Sequence, residues 1–237
     1  AMIFQKPSAR TRVSFEVGMF QLGGHALYLS PQDIGLGKRE SVADIARVFS
    51  RYNDGVMARV FAHKDVVELG QYASVPVING LSDYNHPCQV MGDMLTILEH
   101  KKGLDDLHIT YVGDGNNLAH SWLNMAQRIP MQLRIATPRG FEPDKETFAG
   151  ASKVSDVEIV NDPIEGVKGA DIVYTDVWAS MGQEEEAAKR KKIFKDFQVN
   201  DELLTHAAAD VQVMHCLPAH RGDEITDAVM DGSKSIV

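Results

Sequence analysis

The chain has 237 residues, with 24 Lys+Arg against 33 Asp+Glu and a formal net charge of -9. One domain takes roughly 100 to 200 residues, so this is one large domain or two small ones; 44% hydrophobic and 24% charged residues fit a globular protein and not disorder, collagen or a coiled coil. The acidic balance argues against a general nucleic-acid binder, which needs clustered Lys and Arg, but leaves room for a small anion in a local basic pocket. No apolar run approaches the roughly 18 residues of a membrane span. Lys6, Arg10 and Arg12 are not followed by an apolar stretch of signal type. Two cysteines, Cys88 and Cys216, are too few for a disulfide framework and fit a reducing compartment such as the cytosol.

Taken in order, the chain alternates β-rich runs with amphipathic stretches. Strands are expected at 1–4, 26–30, 55–60, 75–78, 108–112, 133–136, 157–160, 171–175 and 211–215. Between them, Leu118, Trp122, Met125 and Ala126 share one helical face, as do Val42, Ile45 and Phe49, and Val90, Met94 and Leu98. This pattern predicts an α/β fold of two doubly wound domains with parallel sheets and an active-site cleft between them. The boundary is expected at Lys101-Lys102-Gly103, giving domains 1–102 and 103–237. Ala1-Met2-Ile3-Phe4 reads as the inside of a strand and Ser235-Ile236-Val237 as a strand cut short, so chain is expected to be missing at both ends. Ligands of open parallel sheets sit beyond the carboxyl ends of strands, and the chemically suggestive residues all follow strands.

The first such segment is Phe4-Gln5-Lys6-Pro7-Ser8-Ala9-Arg10-Thr11-Arg12. Ser8 is a good N-cap for a helix over 9–22, and a helix start is an anion site. Arg10 and Arg12 add bidentate donors; cations are unfavourable at a helix N-terminus, so two of them suggest a bound anion. The second, Asp83-Tyr84-Asn85-His86-Pro87-Cys88-Gln89, sets His86 three residues before Gln89 around a proline suited to a first helical turn; by itself it reads more readily as a loop histidine capping a helix. In the third, Val112-Gly113-Asp114-Gly115-Asn116-Asn117, the start of a dinucleotide fingerprint lacks its third glycine, Leu118 standing there. Asn117 could instead meet a small ligand. In the fourth, Asp176 is suited to an ammonium group or to a helix cap. In the fifth, Met214-His215-Cys216-Leu217-Pro218, the adjacent His215 and Cys216 point to opposite faces if extended, which disfavours zinc.

The ordered set of five resembles the aspartate/ornithine carbamoyltransferase superfamily, in its ornithine branch, from Phe4 to the last residues. S-x-R-T-R and H-P-x-Q mark the carbamoyl-phosphate site; D-x-x-x-S-M-G and H-C-L-P mark the ornithine branch. The resemblance implies that Ser8, Ala9, Arg10, Thr11 and Arg59 bind the phosphate of carbamoyl phosphate. It implies that His86 and Gln89 hold the carbamoyl group, and that Asn117, Asp176, Ser180 and Met181 bind the amino-acid part of ornithine. Cys216 matches the active-site cysteine, and Leu217 contributes a carbonyl to the carbamoyl amide. Cys216, Arg59 and His86 are thereby the expected catalytic residues. The resemblance further implies a homotrimer with no metal or organic cofactor, while cysteine usage, charge and hydropathy give the cytoplasm with no nucleic-acid or membrane partner as the expectation.

The chain departs from the family pattern in three ways. Ala9 stands where the family usually has Thr, which removes a hydroxyl and predicts weaker carbamoyl-phosphate binding. Gly35 stands where some members carry a Gln that reaches a neighbouring subunit; the nearby Lys38 and Arg39 read as phosphate contacts or as a solvated basic turn, the latter favoured slightly. Family members also extend beyond both ends, including a phosphate-pocket arginine. The competing readings are a carbamoyltransferase for another amine such as putrescine, a non-catalytic relative, and a nucleotide-dependent oxidoreductase.

Overall fold

In the computed structural model, residues 1–104, 106–179 and 186–237 are described. Packing divides the chain into two units, Ala1–Cys88 and Gln89–Val237. The first contains β1 (Met2–Phe4), α1 (Ala9–Gln21), β2 (Tyr28–Leu29), α2 (Pro31–Ile34), α3 (Val42–Tyr52), β3 (Val56–Arg59), α4 (His63–Tyr72) and β4 (Val77–Leu81). Its strands are parallel in the order β2-β1-β3-β4. Ile3, Ala58 and Val60 from the sheet, with Val42, Ile45 and Ala46 from α3, form its core.

The next helix, α5 (Pro87–Lys101), carries the chain into the second unit. The second unit continues with β5 (His108–Val112), α6 (Asn117–Ala126), β6 (Gln132–Ala136), α7 (Lys145–Ala151), β7 (Asp156–Val160), α8 (Pro163–Val167), β8 (Ile172–Thr175), α9 (Ala187–Ile193), α10 (Asp201–Leu204), β9 (Gln212–His215) and α11 (Asp227–Met230). Its parallel order is β7-β6-β5-β8-β9. Val90, Met94 and Ile97 of α5 pack with Tyr111, Trp122 and Tyr174. That burial goes with the packing division at residues 88 and 89; the expected boundary at 101–103 falls at the end of α5. The inward seam of α5 runs through Ile97 and not Leu98, which is 44% exposed, because 3.6 residues per turn carry the buried stripe back by one position.

Both sheets reverse direction at their first strand. In the first sheet the switch lies between β1 and β3, and in the second between β5 and β8. Crevices for ligands open at such points. Ser8–Thr11 follow β1 and Arg59 ends β3, and the segments after β5 and β8 carry Asn116 and Asp176. No helix among the described residues is long and apolar enough to cross a membrane.

Candidate active site

In the first unit the site is built on the start of α1. Ser8 caps the helix from an extended backbone, its Oγ accepting from the Thr11 amide at 3.4 Å. The Ser8 hydroxyl also donates to Thr11 Oγ1 at 3.0 Å. From the end of β3, Arg59 donates through Nη1 to the same Thr11 Oγ1 at 3.3 Å. Arg59 is only 7% exposed, and its Nε has no hydrogen-bond partner among the described residues. Burial, then the neighbouring Arg10, pull its pKa down. Lys6 is lowered by burial and then by Arg59, against the opposing charge of Asp83. His86 is pushed down to about 4, again by burial first and Arg59 second, so it is a neutral imidazole at pH 7. No acidic residue stands in the first turn of α1. Crowded cations beside free helix N–H groups make a site for an anion.

Arg12 does not join them. It pairs with Glu16 at 2.9 Å and lies over the Tyr28 ring at 4.1 Å, whereas Arg10 is exposed and its charge acts on Arg59. Ala9 is exposed at the first position of α1. Lys38 and Arg39 are exposed on their turn, as the sequence suggests.

In the second unit the site is acidic. Asp176, just after β8 and 6% exposed, accepts three hydrogen bonds from the described residues. The Cys216 thiol donates to its Oδ1 at 2.9 Å, the Val177 amide donates to Oδ1 at 2.7 Å, and Asn116 Nδ2 donates to Oδ2 at 3.0 Å. Burial, then the Asp176 charge, push the Cys216 pKa well up. Cys216 is therefore a protonated thiol and not a thiolate nucleophile. His215, its neighbour, faces the other way. Its Nδ1 accepts from the Leu217 amide at 2.8 Å, which leaves Nε2 to donate to the fully buried Glu224 at 3.0 Å. That bond helps hold Leu217 at a positive φ of 56°. His215 and Cys216 thus serve separate partners, and no group of three His, Cys, Asp or Glu able to hold a metal occurs among the described residues.

The turn after β5 is explained by packing. Gly113 has φ +146°, and a Cβ at Gly115 would lie 2.4 Å from Phe141 O and Pro143 N. Gly113 supplies the positive φ of the turn, and Gly115 admits the backbone of residues 141–143. Asn116 caps α6, accepting from the Leu118 and Ala119 amides and from the Tyr111 hydroxyl. The expected ligand contact, Asn117, is the first residue of that helix, its carbonyl accepting from Ser121 at 2.6 Å. The asparagine joined to Asp176 is its neighbour, Asn116, which sequence reasoning missed because a cap residue reads as structural. Arg190 was also missed: it donates to Asp114 at 2.6 Å and to the Trp178 carbonyl at 3.0 Å. Ser180 and Met181 lie outside the described residues.

The two parts agree with comparisons to known proteins. The family model for the carbamoyl-P binding domain of aspartate/ornithine carbamoyltransferase matches residues 1–99, and that for the Asp/Orn binding domain matches residues 105–237. The ornithine carbamoyltransferase of Thermococcus kodakarensis is 57% identical, the alignment covering 100% of this chain and 77% of that one. The chloroplastic ornithine carbamoyltransferase of Pisum sativum is also 57% identical, over 100% of this chain and 64% of its own length. The structure of the Pyrococcus furiosus ornithine carbamoyltransferase superposes with a TM-score of 0.95 at 55% identity, covering 100% of this chain and 77% of that one. With both family domains matched in order, the chain belongs to the aspartate/ornithine carbamoyltransferase family.

Proposed function

We infer that the chain transfers the carbamoyl group of carbamoyl phosphate to the side-chain amine of L-ornithine, giving L-citrulline and phosphate. The observation that carries this reading is the buried Arg59, which with Arg10 crowds the start of α1 with no carboxylate to neutralise it. A phosphate group supplies the missing charge. Ser8, the Ala9 amide, Arg10, Thr11 and Arg59 bind it. His86, neutral by burial, donates to the carbamoyl oxygen, and Gln89 and the Leu217 carbonyl hold the carbamoyl NH2.

Ornithine must attack as the free base, since an alkylamine with a pKa of about 10.4 is otherwise protonated. Asp176, Asn117, Ser180 and Met181 orient the amino acid, and Cys216 stands beside Asp176 as a neutral donor. The amine nitrogen bonds to the carbamoyl carbon, and the developing oxyanion is stabilised by His86, Arg59 and Thr11. The carbon–oxygen bond to phosphate then breaks, and the proton lost from nitrogen leaves with the phosphate. Positioning and electrostatics do the work. The proposed assembly is a homotrimer in a reducing compartment, the cytoplasm, with light scattering as its check. A citrulline assay with ornithine and putrescine in competition tests the reaction. Preferential carbamoylation of ornithine is expected, and equal turnover of putrescine or absence of citrulline overturns it.

A further inference from the structure

Asp93 has no part in the mechanism above, yet it is a carboxyl group only 6% exposed. It lies on α5 one turn beyond Gln89, whose Nε2 donates to Asp93 Oδ1 at 2.9 Å. Its other oxygen is buried with no hydrogen-bond partner among the described residues. The fully buried Tyr174 hydroxyl lies beside Asp93 and Cys216 without a well-aligned hydrogen bond to either. An i,i+4 Gln–Asp pair on an exposed helix contributes only about 0.2–0.5 kcal/mol, less than burial of an incompletely paired carboxylate costs. The pair is therefore a poor stabiliser of α5, and its value lies in what it does to Gln89.

A carboxylate only accepts, so Gln89 must turn its amide NH2 inward, and its carbonyl oxygen is the atom left for a ligand. The NH2 of a carbamoyl group offers donors and needs such an acceptor. We propose that Asp93 is a positioning residue that fixes which end of the Gln89 amide meets the substrate, selecting a carboxamide-type NH2 at that point. The proposal rests on the carbamoyl-transfer reading. The polar groups facing Asp93 are Gln89 from α5, Tyr174 from β8 and Cys216 beyond β9. Burial keeps both Tyr174 and Cys216 protonated, with the charges of Asp93 and Asp176 adding to the effect. Asp93 itself is raised to about 6, by burial against the Gln89 hydrogen bond. Protonated Asp93 becomes a donor, and the amide is then free to turn.

Two measurements test this on the full chain. The side-chain amide signals of Gln89 in a 15N–1H spectrum, assigned by their loss in Gln89→Glu, should titrate between pH 5 and 8 and stay flat in Asp93→Asn. A flat response in the wild type overturns the proposal. Calorimetric binding of phosphonoacetamide, which carries a carboxamide, should weaken about tenfold in both Asp93→Ala and Asp93→Asn, because an Asn amide, like a protonated carboxyl, can also donate. Inorganic phosphate should bind all three alike, and Asp93→Ala should cost nothing further in a Gln89→Ala background. Equal weakening of both probes makes Asp93 merely structural and overturns the proposal. Failure of the wild type to bind either probe contradicts the carbamoyl-transfer reading instead, and the amide titration still decides the role of Asp93.

Discussion

Beyond its strands the first unit gathers Lys6, Arg10, Arg59 and His86, whereas the second gathers Asp93, Asp114, Asp176 and Cys216. In the first, burial lowers the pKa of Lys6, Arg59 and His86, and Arg59 adds to the fall of the other two. In the second, burial raises Asp93, Asp114 and Cys216, with the Asp176 charge adding at Asp114 and Cys216. Among the described residues, only Asp114 of these meets a full counter-charge, from Arg190. Burial thus disfavours the charged forms of Lys6, Arg59 and His86 in the first unit and of Asp93, Asp114 and Cys216 in the second. A ligand of the opposite sign relieves that cost, an oxyanion in the first unit and an ammonium group in the second.

The largest effect should come from removing the unbalanced cation. Arg59→Met should lower kcat/KM for carbamoyl phosphate by about a thousandfold, while raising stability by roughly 1–2 kcal/mol because an isolated buried charge is gone. Steady-state kinetics and thermal unfolding on one sample read both signs, and a loss of stability would break the comparison. Next is the pH response of the first unit. His86 has a folded pKa of about 4, below the ordinary 6.5, so between these values the unfolded chain binds a proton that the folded one does not. Stability should fall as pH drops from 6.5 towards 4, by up to about 3 kcal/mol. In His86→Asn that share of the loss should vanish, as denaturant titrations at several pH values would register.

A smaller effect separates thiol from thiolate in the second unit. As Cys216 is a protonated donor to Asp176, Cys216→Ser should keep the hydrogen bond and lose only about tenfold in kcat. Loss of nearly all turnover, or rapid alkylation of Cys216 at neutral pH, would contradict that assignment. Last, Ala9→Thr returns a hydroxyl to the anion cradle. A hydrogen bond to a charged group is worth roughly 1.5 to 3 kcal/mol, so carbamoyl-phosphate affinity should improve about tenfold, with unchanged affinity counting against a phosphate at α1.

The nine strands were legible because β-branched runs alternate with helical periodicity, and His108–Val112 was met to the residue. The motifs led to Ser8, Thr11, Asp176 and Cys216 because each follows a strand end, where parallel sheets put their chemistry, while Arg59 came only from the family resemblance. What escaped depends on packing at long range. Asn116 reaches Asp176 across 60 positions and Arg190 reaches Asp114 across 76, and no local pattern encodes such pairs. Asp93 sat unnoticed on the apolar seam of α5, where a carboxylate looks like an exposed residue until the helix is docked. Gly115 had a stronger local meaning than its real one, the close approach of residues 141–143.

The central claim is that the two halves act on one reaction, each holding the part of the substrate pair that its charge selects. It is tested most directly by calorimetric binding of a bisubstrate analogue in which a phosphonoacetyl group is joined to the side-chain nitrogen of ornithine. The analogue should bind far more tightly than phosphate or ornithine alone, and Arg59→Met and Asp176→Asn should each weaken it by about a hundredfold or more. Affinity no better than that of phosphate, or binding untouched by either substitution, would contradict the account.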